Sequence, residues 1–244
     1  MFAVSPVPSL SRIYPELSMP PQAIHSHTDS QSEAASHVNK PSATALDIQA
    51  YDHVTWWVGN AKQAASYYVT RMGFSYLAYQ GLETGSKYVA SYAIANCSAI
   101  FVLRSPIRGL ASINADTPES DRKLVEAMHA HLEKHGDAVK DVAFKVDDAR
   151  AVYKTAVAQG AIGVQEPIAI NNKADGPFVT AVIATYGDTT HTLVERSSYR
   201  GVFMPGYFAM IKDPLSQHLP EVPLEVIDHC VGNQGWNELE AICK

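Results

Sequence analysis

The sequence predicts an α+β fold made of two paired β-α-β-β-β modules, followed by the start of a third module. Three observations carry this: apolar periods that switch between two and 3.6 residues, glycines just past each helical run, and an internal repeat. A shift of 88 positions lays Val54 on Val142, Trp56 on Phe144, Val58 on Val146 and Ala61 on Ala149 without a gap.

Residues 1–45 are rich in Ser, Pro, Ala and His and hold few large apolar side chains, so the expectation is a disordered leader. Its single arginine and interrupting prolines give little support to a targeting helix or a signal peptide. The first module is expected over 51–104. A strand at 51–58 leads through Asn60, a helix cap, into a helix with Ala64, Ala65, Tyr68, Val69 and Met72 on one side. Gly73 ends that helix, and strands follow at 74–79, 87–95 and 99–104.

A connecting helix starts at Thr117 and Pro118, turns Leu124, Met128 and Leu132 inward, and stops at Gly136. The second module, 139–196, opens with a strand at 139–146. Asp147 or Asp148 caps its helix, which carries Val152, Tyr153, Ala156 and Val157, and Gly160 closes it. Strands at 161–169, 178–186 and 189–195 complete the order. Together, 46–196 read as one domain.

An aromatic, proline-containing linker at 197–223 should pack against that domain. Residues 224–231 then resemble another opening strand, and 237–244 the first turns of a helix. The region 224–244 therefore reads as a truncated start of a second domain, expected to be poorly ordered or opportunistically docked.

Composition narrows the function. With 19 basic and 25 acidic residues among 244, the net charge is −6, and no basic block could neutralise a phosphate backbone, so nucleic acid is not an expected partner. No apolar run approaches the roughly 20 residues of a membrane span, and a cytoplasmic location is expected. Cys97, Cys230 and Cys243 are scattered and read as free thiols. Asn96-Cys97-Ser98 has the form of a glycosylation acceptor but carries no weight without a secretory route. Nucleophile elbows, phosphate loops and dinucleotide fingerprints are absent from the sequence, Gly81-Leu-Glu-Thr-Gly lacking both the lysine and the spacing.

His131 and His135 stand one helical turn apart, a zinc-like spacing. The glutamate is at 133 rather than directly after the first histidine, and Lys134 adds charge beside the pair. A solvated helix face is the simpler expectation.

Four segments point further. Val139-Lys-Asp-Val-Ala-Phe, His191-Thr-Leu-Val-Glu-Arg-Ser, Gly201-Val-Phe-Met-Pro-Gly-Tyr and Ile227-Asp-His-Cys-Val-Gly-Asn-Gln resemble the 4-hydroxyphenylpyruvate dioxygenase family, in order and at fitting separations, over about 51–236. The resemblance implies the vicinal oxygen chelate fold and a non-haem Fe(II) enzyme of tyrosine and phenylalanine catabolism. Such an enzyme turns 4-hydroxyphenylpyruvate, a small 2-oxo acid, and O2 into homogentisate and CO2. It admits a homo-oligomer and a mandelate-forming relative.

In that family the N-terminal module pair carries no metal, and iron is held in the C-terminal pair by two histidines and a glutamate. His229 matches the first histidine, and the other two ligands would lie beyond Lys244. One imidazole is not the facial two-histidine, one-carboxylate set that leaves iron positions for a chelating acid and dioxygen. The expectation is therefore that this chain alone does not retain iron and is a catalytically inactive scaffold, His229 being a strand histidine without metal. His53 and Glu195 invite a reading as an N-terminal metal pair, but structural roles are expected of them. A small-molecule binding cup is the last reading, because Trp56, Phe101 and Phe144 are expected to fill it.

Overall fold

In the computed structural model, residues 48–172, 174–211, 214–238 and 240 are described. The leader 1–45 with His25 and His27, and Cys243, lie outside them. The first module runs β1 (Ile48–Trp57), α1 (Ala61–Arg71), β2 (Ser75–Gln80), β3 (Val89–Asn96) and β4 (Ala99–Pro106). A long helix α2 (Glu119–His135) leads to β5 (Ala138–Val146), α3 (Ala149–Ala158), β6 (Gly163–Asn172), β7 (Gly176–Ala184) and β8 (Thr190–Glu195). A two-residue strand β9 (Phe208–Ala209) follows.

One nine-stranded sheet results, in the order β6-β7-β8-β5-β1-β4-β3-β2-β9. Each module contributes the same local order, with its opening strand parallel to its last one: β1 to β4, and β5 to β8. The two opening strands meet antiparallel at the centre, with Val54 opposite Val142. This is the paired β-α-β-β-β architecture that the repeat predicts.

The helices start where the capping rule places them. Asn60 accepts from the Gln63 amide at 3.1 Å, and Asp148 accepts from the Arg150 and Ala151 amides at 3.0 and 2.9 Å. The first helical residues, Ala61 and Ala149, are both fully buried. Each also donates its amide to a side chain of its module's last strand, Ser105 Oγ at 3.0 Å and Glu195 Oε2 at 3.1 Å. Gly73, with φ near +69°, ends the α1 turn where a side chain would meet Val222 at 2.8 Å.

Several expectations need correction. The buried face of α2 is Val125, Met128 and His131, which shares Met128 with the expected set but replaces Leu124 and Leu132 by their neighbours. The reason is the partner: Trp57 and Val89 receive Val125 and Met128, while Leu124 only borders that cluster. On α3, Val157 is exposed, and on α1, Met72 is the exposed C-terminal cap residue rather than a core side chain.

Residues 224–231 form no strand. Their apolar residues Leu224 and Ile227 pack on the outer cluster of α1, Phe74 and Leu103, and the Ser98 amide donates to the Glu225 carbonyl at 2.9 Å. A strand pattern needs a neighbouring strand to become a strand, and this segment pairs with none among the described residues. The segment is docked, one of the two outcomes the sequence allows.

The linker packs as expected, and it packs inside. Phe203, only 1% exposed, lies with Met204 and Tyr207 against Ala78, Ala93 and Val102. Tyr199 joins Phe178 and Ala143 nearby. Trp56 and Phe101 instead lie with α1 on the opposite face, and Phe144 meets Tyr51 at a tilt and His191 edge-on. The cup is partly filled, but by the linker and not by the three aromatic residues expected there.

Candidate ligand positions and their surroundings

Strand alternation sends His53, Thr55 and Trp57 of β1 to the linker-covered face of the sheet. There they border an open cleft of about 500 Å³ that also shows Arg104, Asp141 and Tyr207. His53 Nδ1 sits 2.7 Å from Asp52 Oδ1, and Arg196 donates to both oxygens of Asp52, at 3.2 and 3.4 Å. Burial opposes ionisation of Asp52, but the hydrogen bond and charge of His53, followed by those of Arg196, outweigh it and hold the carboxyl below its ordinary value. Phe203 closes the group, its ring edge-on to His53 at 5.5 Å and 5.4 Å from the Arg196 guanidinium.

Asp141, the repeat equivalent of His53, behaves in the opposite way. Burial pushes its carboxyl up, only partly offset by the hydrogen bond that Thr190 Oγ1 donates at 2.6 Å and by the nearby His53 charge. On the same face Tyr207 and Ser91 share a 2.5 Å hydrogen bond, and burial raises the Tyr207 phenol. His53 and Glu195 do not come together as a metal pair. His53 is engaged by Asp52, and Glu195 caps α3, so both do structural work.

His229 stands on the docked segment, its side chain 70% exposed, with Nδ1 2.5 Å from Asp228 Oδ2. A carboxylate on one ring nitrogen is how metal-binding imidazoles are commonly oriented. Among the described residues it belongs to no group of three such ligands. Among the described residues, the His, Cys, Asp and Glu side chains close enough to share an ion are His131, His135 and Asp188, and His229 is not in that group. A non-haem iron with its open positions needs three protein ligands, so the described donor set fits one third of such a site and no step can be routed through iron here. Cys97 and Cys230 are free and exposed, in line with the expected thiols. Asn96, buried and donating to the Met72 and Val222 carbonyls, has no freedom to carry a glycan.

The His131 and His135 pair departs from the solvated face expected for it. His131 is 5% exposed and edge-on to Trp57 at 5.3 Å, while His135 Nε2 reaches the two Asp188 oxygens at 3.0 and 2.9 Å. The i,i+4 spacing was the sequence signal. The burial could not be seen because it depends on Trp57, 74 positions earlier in the chain.

No family model matches the chain. Among curated proteins, 204 residues are 55% identical to the 4-hydroxyphenylpyruvate dioxygenase of Neurospora crassa, covering 83% of this chain and 50% of that protein. The enzyme of the same name from Coccidioides posadasii is 55% identical over 79% of this chain and 48% of its own length. That of Xenopus tropicalis is 47% identical over 79% and 45%. Among solved structures, a triple mutant of 4-hydroxymandelate synthase from Streptomyces coelicolor matches with a TM-score of 0.51 at 23% identity, over 72% of this chain and 45% of that one, a likeness of fold. None of the described helices is long and apolar enough to cross a membrane. The chain spans about half the length of the curated relatives it matches, and over that half it is similar to proteins named 4-hydroxyphenylpyruvate dioxygenase, with a likeness of fold to the solved synthase.

Proposed function

We propose that this chain supplies the N-terminal vicinal oxygen chelate domain, about 46–196, and the first iron ligand, His229, of a 4-hydroxyphenylpyruvate dioxygenase. The reaction is conversion of 4-hydroxyphenylpyruvate and O2 to homogentisate and CO2, in tyrosine and phenylalanine catabolism. The observation that carries the reading is the 55% identity to named dioxygenases, joined to the Asp-His-x-Val-Gly-Asn-Gln run that holds His229. Fe(II) would be bound by His229 with a second histidine and a glutamate supplied outside these residues, and its role would be to hold the 2-oxo acid and dioxygen together.

The chain's own residues have a different part. The linker plug of Phe203, Met204 and Tyr207 on the sheet supports a scaffold role for the module pair, in place of a second small-molecule cup. The docked run at Leu224 and Ile227 would carry the chain from that scaffold toward the iron domain. A cytoplasmic enzyme, with homo-oligomeric assembly open to it, completes the reading.

Homogentisate is favoured over hydroxymandelate because the relatives at 50–55% identity bear the dioxygenase name, whereas the mandelate synthase is alike in fold only. The 244 residues by themselves are proposed to be inactive. Product analysis by liquid chromatography tests the assignment, using a chain in which these residues are continued by the second half of the Neurospora crassa relative. Homogentisate is the expected product, and hydroxymandelate or no product would overturn it.

A further inference from the structure

We propose that His131, His135 and Asp188 form a binding site for a divalent transition metal of the zinc type, independent of His229 and of the iron reading. The three side chains offer ligand atoms that all lie within 4.8 Å of one another. They come from two separate elements. His131 and His135 are one turn apart at the end of α2, and Asp188 lies in the turn between β7 and β8.

An ion pair alone would explain His135 and Asp188, but it does not explain His131. That ring is 5% exposed, and among the described residues neither of its nitrogens meets a hydrogen-bond partner; the Ala138 backbone lies near it without reaching hydrogen-bond geometry. A buried imidazole with two unpaired nitrogens is unfavourable, and a metal ion coordinated by one of them would remove part of that cost. The rings of His131 and His135 are 4.9 Å apart, so one ion can reach a nitrogen of each.

The donor chemistry selects the metal. Two imidazoles and a carboxylate suit zinc and its neighbours, whereas calcium and magnesium prefer all-oxygen shells. Bond lengths of about 2.0–2.2 Å around a tetrahedral ion place ligand atoms roughly 3.3 Å apart. His135 and Asp188 already stand 2.9–3.0 Å apart, so they need only small adjustments, and their partial exposure allows these. Three protein ligands leave one position for water.

The opposing charges are Lys134, 3.3 Å from Asp188 Oδ2, and Lys140, which donates to the Asp188 carbonyl. The Lys134 side chain is 65% exposed and can turn into solvent when the metal neutralises Asp188. Once bound, the ion would tie the end of α2 to the β7–β8 turn.

Equilibrium dialysis of the untagged 244-residue chain, stripped with chelator and then offered zinc sulfate at neutral pH, tests the site. One zinc per chain is expected, together with a rise in melting temperature, because zinc binds the folded state. The His135→Ala and Asp188→Asn variants remove partly exposed ligands and should fold with little change. Each should bind zinc more weakly, by more than the roughly 10–100-fold typical of losing an outer-shell partner, and neither should be stabilised by it. The His229→Ala variant should bind zinc as the parent does. Cobalt(II) should give visible absorption bands in the parent and in His229→Ala, and not in His135→Ala. Absence of stoichiometric zinc from the parent, zinc retained undiminished in both ligand variants, or zinc lost with His229 would each overturn the proposal.

Discussion

Val54 and Val142 face each other across the β1–β5 ladder, and they are also the equivalent residues of the two modules. The flanking pairs obey the same symmetry: His53 opposite Ala143 and Thr55 opposite Asp141 exchange under the 88-residue shift. The repeat in the sequence is therefore a pseudo-twofold axis in the fold. Both valines are at most 5% exposed. Val54→Ala and Val142→Ala should each cost about 1.5–3 kcal/mol in denaturant unfolding. Because the residues are cross-strand neighbours, the double variant should miss additivity by about 0.5 kcal/mol or more. Strict additivity, or a large cost at only one of the two, would be incompatible with the dyad.

Asp52 predicts how the fold responds to acid. Its folded-state pKa lies below the ordinary 3.8, so the stability it contributes is fully present above about pH 4 and is lost as pH falls through the lower, folded value. Asp52→Asn keeps the shape but removes the charge facing His53 and Arg196. It should cost about 1.5–3 kcal/mol at neutral pH, and the gap to the parent should close below pH 4. A pH-independent gap in thermal melts would show that the pairing with His53 and Arg196 contributes nothing.

Asp141 carries the opposite sign. Burial raises its pKa, so its protonated form favours folding below 3.8, and that contribution is lost as pH rises through the folded value. Asp141→Asn keeps an acceptor for Thr190 Oγ1 and carries no charge. It should stabilise the chain at pH 7 by about 0.5–2 kcal/mol, and the gap to the parent should shrink as pH falls through the folded value and vanish below about pH 4. A destabilised variant at pH 7 would mean that His53 or His191 compensates for burial of the charge.

Phe203 is predicted to plug the cup. Phe203→Ala should cost about 3–5 kcal/mol, and the emptied space beside His53 and Val102 should make the variant bind an apolar fluorescent dye more strongly than the parent does. Unchanged dye binding would mean that Met204 and Tyr207 suffice to close that side.

Most of the strand order and both capped helices were legible because they rest on local signals: alternation, Asn60 and Asp148 as caps, and glycine stops. The features that were not legible depend on partners distant in sequence. The face α2 buries is set by Trp57 and Val89, and the cup's filling is set by Phe203, whose sequence surroundings read only as an apolar linker. Residues 224–231 have a strand's pattern without a strand's neighbour. Of the candidate ligand positions, His229 was visible through a family motif, whereas joining His131 and His135 to Asp188 required the β7–β8 turn to be placed in space.

The central claim is that His229 is an iron ligand whose companions lie outside these residues. Fe(II) content and oxygen uptake with 4-hydroxyphenylpyruvate test it most directly, in the 244-residue chain and in the chain continued by the relative's second half, each with and without His229→Ala. The account predicts no His229-dependent iron and no uptake in the short chain, whether substituted or not, but one iron and turnover in the continued chain, abolished by the substitution. Turnover by the short chain that depends on His229, or turnover by the continued chain that survives without it, would contradict the account.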